Sequence, residues 1–107
     1  MELGWIWTKN LRPFLELVAQ VNGHRLTDND WDLCTHGVVG TDSERGPWFE
    51  YRLAEAAIIV RLAHEPHAAR LTNVKLEAVP EAARSAVALV TEIARQYQLS
   101  GAKLPSA

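Results

Sequence analysis

The stretch from Trp48 to Val79, WFEYRLAEAAIIVRLAHEPHAARLTNVKLEAV, restricts the fold of this chain more than any other. It alternates apolar and polar residues with a period of two, the pattern of strands buried on one face only. Phe49, Tyr51 and Leu53 oppose Trp48, Glu50 and Arg52; Ile58, Val60 and Leu62 oppose Ile59, Arg61 and Ala63. Thr72, Val74, Leu76 and Ala78 then oppose Asn73, Lys75 and Glu77. The spacing predicts a three-stranded antiparallel meander with one apolar and one charged face. Glu65-Pro66-His67 breaks the pattern between the second and third strands, as a turn should. Ala54 to Ala57 holds no Gly, Asn or Pro, so the first connection reads either as a hairpin turn or as a short helical turn.

Helical periodicity flanks this meander. Asn10 is placed as an N-cap with Pro13 in the first turn, and Phe14, Leu17, Val18 and Val21 recur on one face. Gly23 supplies the stop, so a helix is predicted over Leu11–Val21. Thr27-Asp28-Asn29-Asp30 resembles a capping box and opens a two-turn helix ended by Gly37, with Trp31, Cys34 and Val38 on one face. Pro80 begins a longer helix whose apolar stripe is Ala83, Val87, Val90, Ile93, Ala94 and Tyr97 and whose stop is Gly101. That helix should lie across the apolar face of the meander. Leu3, Trp5 and Trp7 alternate with Gly4 and Ile6, as a fourth strand at the meander's edge or as an arm pinned by its indoles. Gly40 to Pro47 (GTDSERGP) reads as a loop opening onto the first strand, and residues 102–107 as a frayed tail. The whole is a single α+β domain over residues 1–107.

Composition narrows the function classes. A chain of 107 residues suits one domain, burying roughly two-thirds of the surface its unfolded form exposes. A net charge of −2 gives no basic field for nucleic acid. The single cysteine, Cys34, allows no intramolecular disulfide and fits a reducing compartment such as the cytoplasm. The first residues lack the basic and apolar regions of a signal peptide, and no run approaches the roughly 18 apolar residues of a membrane span. A cytoplasmic protein without a membrane partner is expected.

The sequence holds no glycine-rich phosphate loop, nucleophile elbow or CxxC pair. His64 and His67 flank Glu65 and Pro66, a set that could bind metal or serve as acid and base; a plain polar turn is the preferred reading. A Cys34–His36 nucleophile pair is disfavoured, because residues two apart on a helix point in different directions. No cofactor, metal ligand or catalytic residue is therefore assigned, and catalysis is the less favoured reading. The charged face of the meander is the stronger constellation: Trp48, Glu50, Arg52, Arg61, Lys75 and Glu77. Cross-strand salt pairing explains it without function; a ligand cradle or a general base at Glu50 would use the same residues. Trp48 and Ile59 among charges suit a surface that another protein covers.

Three readings follow: a non-catalytic protein-binding module, a small enzyme or ligand-binding domain using Glu50, Arg52 and Arg61 or the His64–His67 turn, and a self-associating structural domain or homodimer. Leu26 to Leu53 (LTDNDWDLCTHGVVGTDSERGPWFEYRL) and the meander after it stand in the order of two helices, meander and helix. In that stretch and order the chain resembles the immunity proteins of bacterial toxin–immunity systems of the contact-dependent inhibition type. The resemblance implies a protein partner, a toxin domain that is bound and neutralised without chemistry. Asp42, Glu44 and Glu50 would meet a basic cleft, Trp48 would anchor, and Arg45, Arg52 and Arg61 would complete the contact surface.

Overall fold

The computed structural model describes residues 2–44, 46–53, 58–64, 70–78 and 84–97. The elements run β1 (Glu2–Trp7), a 3-10 turn (Thr8–Asn10), α1 (Leu11–Val21), α2 (Asp28–His36), β2 (Gly40–Asp42), β3 (Gly46–Leu53), β4 (Ile58–His64), β5 (Leu71–Ala78) and α3 (Arg84–Tyr97). The five strands form one antiparallel sheet in the order β1-β5-β4-β3-β2.

The fold class is α+β, and the sheet has five strands rather than three. The meander is extended at both edges. The residues at 2–7 form a strand that pairs with β5, through Trp5 opposite Asn73 and Ile6 opposite Thr72. The expected loop GTDSERGP is a hairpin instead, with Gly40, Thr41 and Asp42 opposite Trp48, Pro47 and Gly46. Gly46 takes a φ of 75°, a left-handed backbone that glycine alone adopts without strain. The Ala54–Ala57 and Glu65–His67 connections, the helix start at Pro80, the stop at Gly101 and the tail 102–107 lie outside the described residues.

Register then sorts the faces. Phe49, Tyr51 and Leu53 pair with Leu62, Val60 and Ile58, which pair with Val74, Leu76 and Ala78. This inner face and residues of all three helices close one core, with Leu11, Phe14, Leu15, Val18, Val60, Leu62 and Val90 fully buried. Phe14 meets Tyr97 edge-on at 6.0 Å, joining α1 to α3. The helices thus form a second layer on one side, and the other face of the sheet has no helix over it among the described residues.

Local chemistry fixes the helix ends. α2 opens on a complete capping box: the Asp30 N–H donates to Thr27 Oγ1 at 3.0 Å, and the Thr27 N–H to Asp30 Oδ2 at 2.9 Å. α1 ends in a Schellman arrangement, with Gly23 at φ 74° and the His24 N–H on the Ala19 carbonyl at 2.8 Å. Asn10 makes no side-chain cap; the 3-10 turn before α1 leads into the helix instead. Because α2 stops at His36, Val38 is not on its packed face and is exposed.

β1 carries a bulge. Its register with β5 shifts between Glu2 and Gly4, and Gly4 has a φ of 113°. The bulge turns both Leu3 and Ile6 into the core. Asn73, on the opposite face, is buried and holds the bulge by donating from Nδ2 to Glu2 Oε1 and, at 3.5 Å, to the Gly4 carbonyl.

Candidate interaction face at the β2–β3 end of the sheet

The outer face of β3 and β4 gathers Trp48, Glu50, Arg52 and Arg61, four of the residues picked out by alternation. Glu50 sits opposite Arg61, which sits opposite Lys75, and Arg52 opposite Ile59. Trp48 lies across the hairpin from Gly40, and its indole lies flat over that glycine: a Cβ at Gly40 would stand 2.4 Å from the ring carbons. The guanidinium of Arg61 covers the indole, 4.7 Å from the ring. Trp48 is therefore in contact with both a backbone and a cation, and its Nε1 is buried with no hydrogen-bond acceptor among the described residues.

Glu50 is the most enclosed charge of the set, its side chain only 7% exposed. Arg52 approaches it at 2.9 Å and Arg61 at 3.9 Å, while Arg61 also reaches Glu77 at 2.8 Å. Oε2 of Glu50 nevertheless receives no aligned hydrogen bond among the described residues: the Arg52 nitrogen is close, but its N–H is not directed at the oxygen. Arg52 is 67% exposed, so this contact is a lid at the solvent boundary.

The remaining expected residues sit at the hairpin tip. Asp42 closes β2 opposite Gly46, Glu44 is exposed in the turn, and Arg45 lies outside the described residues. The structure also exposes apolar residues. Five large apolar residues are exposed among the described residues, three of which, Leu33, Val38 and Val39, belong to the end of α2 and the arm entering β2. Leu33 and Val39 border a groove of about 210 Å³ with Asp30, Glu50, Tyr51 and Arg52. A larger hollow of about 530 Å³ between α1 and the link to α2 is polar, and its Arg12 is already paired with Asp28 at 2.8 Å.

No protein family, curated protein or solved structure matches the chain. What the site can do rests on its own geometry.

Two of the candidate chemical groups are held in structural roles. His64 lies in β4 facing the core, not in the turn. Its Nε2 donates to the Cys34 carbonyl at 3.1 Å, which leaves Nδ1 as the acceptor for the Thr72 hydroxyl at 2.9 Å. Thr72 in turn accepts from Thr8 at 3.0 Å, completing a chain from the 3-10 turn through the sheet to α2. Burial lowers the His64 pKa below 6.5, partly offset by the bond to Cys34. His67 lies outside the described residues. Cys34 is fully buried; desolvation, with the Asp30 charge adding, pushes its thiol up to about 12. His36 turns instead to Asp32 at 3.1 Å, so Cys34 and His36 do not form a pair. Among the described residues no three His, Cys, Asp or Glu groups converge as a metal site requires, and no helix is long and apolar enough to cross a membrane.

Proposed function

We propose that the chain is a non-catalytic protein-binding module, of the kind that binds a toxin domain and blocks it. The observation that carries this reading is the pairing of Leu33 and Val39, each about half exposed, around a groove that Asp30, Glu50 and Arg52 also border. Apolar side chains grouped at a rim of charge are what a partner desolvates when it docks. Glu44, exposed in the adjoining turn, and Asp42, near it in the sequence, add negative charge that would steer a basic partner. Cys34 and His64 support the same reading, since a protonated buried thiol is not a nucleophile and an imidazole bonded through both nitrogens has no free base.

The test is affinity capture with the tagged chain followed by association kinetics. A single stoichiometric partner is expected, and Asp42→Lys with Glu44→Lys should slow its association roughly tenfold at low salt, with the difference shrinking as salt rises. Failure to recover a partner, or kinetics that ignore the charge reversal at every salt concentration, refutes the steering surface.

A further inference from the structure

The β1 edge of the sheet, away from the Leu33–Val39 groove, carries a different chemistry. β1 ends at Trp7 opposite Leu71, with Arg70 just before β5. Trp7 follows the core residue Ile6, so it turns to the outer side and is only partly buried. The Thr8 N–H donates to the Arg70 carbonyl at 2.7 Å, and the Thr8 hydroxyl bonds that of Thr72 at 3.0 Å. These bonds carry the pairing one residue past β1 and fix the backbone from which the indole and Arg70 project. Trp7, Thr8, Lys9 and Arg70 line a hollow of about 480 Å³. Small-molecule sites fall in the same range, roughly 300–1,000 Å³.

The charge of this hollow is unbalanced. Lys9 Nζ and the Arg70 guanidinium each stand 6.0 Å from the Trp7 ring, at the outer limit of a cation–π contact. Arg61, by contrast, closes on Trp48 at 4.7 Å. Lys9 and Arg70 are exposed, and neither pairs with a carboxylate among the described residues. The sequence around them is basic too. Residues 3–15 hold Lys9 and Arg12 and no acid, and residues 66–76 hold Arg70 and Lys75 and no acid, in a chain whose net charge is −2.

From this we infer that the hollow binds a small organic anion bearing a flat ring, of the chemical type of a nucleoside monophosphate. The phosphate lies between Lys9 and Arg70, where both cations donate charge-assisted hydrogen bonds to it. The ring stacks on the Trp7 indole, a contact open to any base because every base has a π-face. Two cations are too few to hold a polynucleotide, whose affinity grows with the number of phosphates neutralised, so the ligand is a single small molecule. This site is independent of the protein-binding surface, and either can fail without the other.

The probe is adenosine monophosphate, titrated against the full chain while the indole N–H signals are followed by NMR, that of Trp7 being assigned with Trp7→Phe. The Trp7 signal should shift to saturation, and inorganic phosphate or adenosine alone should bind about tenfold more weakly. Lys9→Ala and Arg70→Ala, both at exposed positions outside the core, should each weaken the nucleotide by about tenfold and reduce the effect of salt, while Lys9→Arg should keep the binding. A thermal melt of each variant separates lost binding from a lost fold. A Trp7 signal unmoved at millimolar nucleotide, or moved equally in the Lys9→Ala, Arg70→Ala double variant, overturns the inference. Inorganic phosphate binding as tightly as the nucleotide overturns it as well, since the ring would then contribute nothing.

Discussion

Replacing Gly40 by alanine tests the clamp that builds the outer face. The φ of Gly40 is not among the positive ones, so alanine fits the backbone and even gains a little through a less flexible unfolded chain, about 0.5–1 kcal/mol. Its Cβ, however, would lie 2.4 Å from two carbons of the Trp48 ring and 3.0 Å from a third. Ordinary contact begins near 3.4 Å, so the indole must retreat by about 1 Å. It cannot retreat freely, because the Arg61 guanidinium packs on the same ring at 4.7 Å. Overpacking of this kind costs about 1–3 kcal/mol, and a disrupted cation–π stack a further 0.5–1. The net expectation is a loss of about 1–2 kcal/mol, a fall in Tm of roughly 5–10 °C for a domain of this size. Thermal unfolding followed by circular dichroism reads it. The double variant Gly40→Ala, Trp48→Leu supplies the control, since the penalty should vanish once the ring is gone. A Tm for Gly40→Ala within a degree of wild type, or an equal loss in the Trp48→Leu background, would refute the clamp.

Three further expectations follow from the core and the helix ends. His64 is held neutral by burial, so below about pH 6.5 the unfolded chain binds a proton that the folded chain resists; stability should fall as pH drops toward the folded-state pKa, and His64→Gln should flatten that slope in melts between pH 7.5 and 5. Cys34, fully buried with its thiol raised to about 12, should resist a thiol reagent at pH 8 in the native state and react fully in denaturant; rapid native labelling would contradict the packing of α2 on β3. Thr27→Ala removes one bond of the α2 capping box and should cost about 1 kcal/mol in denaturant unfolding, whereas a neutral result would mean that tertiary packing alone holds that helix end.

The parts of the fold legible in the sequence are those fixed by local chemistry. α1 begins and ends where Phe14, Leu17, Val18 and Val21 with Gly23 place it, and the Thr27–Asp30 box forms as its residue types require. The three meander strands and their two faces follow from period-two alternation, which register preserves. What escaped had no periodic signal or one that was broken. β2 is three residues long, too short for any period. In β1 the bulge at Gly4 changes parity, so Leu3 and Ile6 are buried while Trp5 and Trp7 are only partly so, against simple alternation of Leu3, Trp5 and Trp7. Val38 continued a helical face on paper, but Gly37 ends the helix first and leaves it outside. His64 looked like a turn residue because Pro66 follows; its partner Thr72 stands opposite it only once β4 and β5 pair. At the candidate site, alternation placed Trp48, Glu50, Arg52 and Arg61 on one surface. The packing of Trp48 on Gly40 is a close approach between strands, and no spacing in the sequence encodes it.

The bulge at Gly4 has a consequence for how copies of this molecule can meet. A growing fibre of stacked sheets needs two receptive borders, one to extend and one to be extended. At the β1 border the register shift between Glu2 and Gly4, held by Asn73, interrupts the row of donors and acceptors and leaves only Gly4 to Trp7 in even register. At the other end of the sheet the edge strand is β2, only three residues long, which leaves an incoming strand little to pair with. Neither border is a long, even template, so one copy is a poor seed for the next.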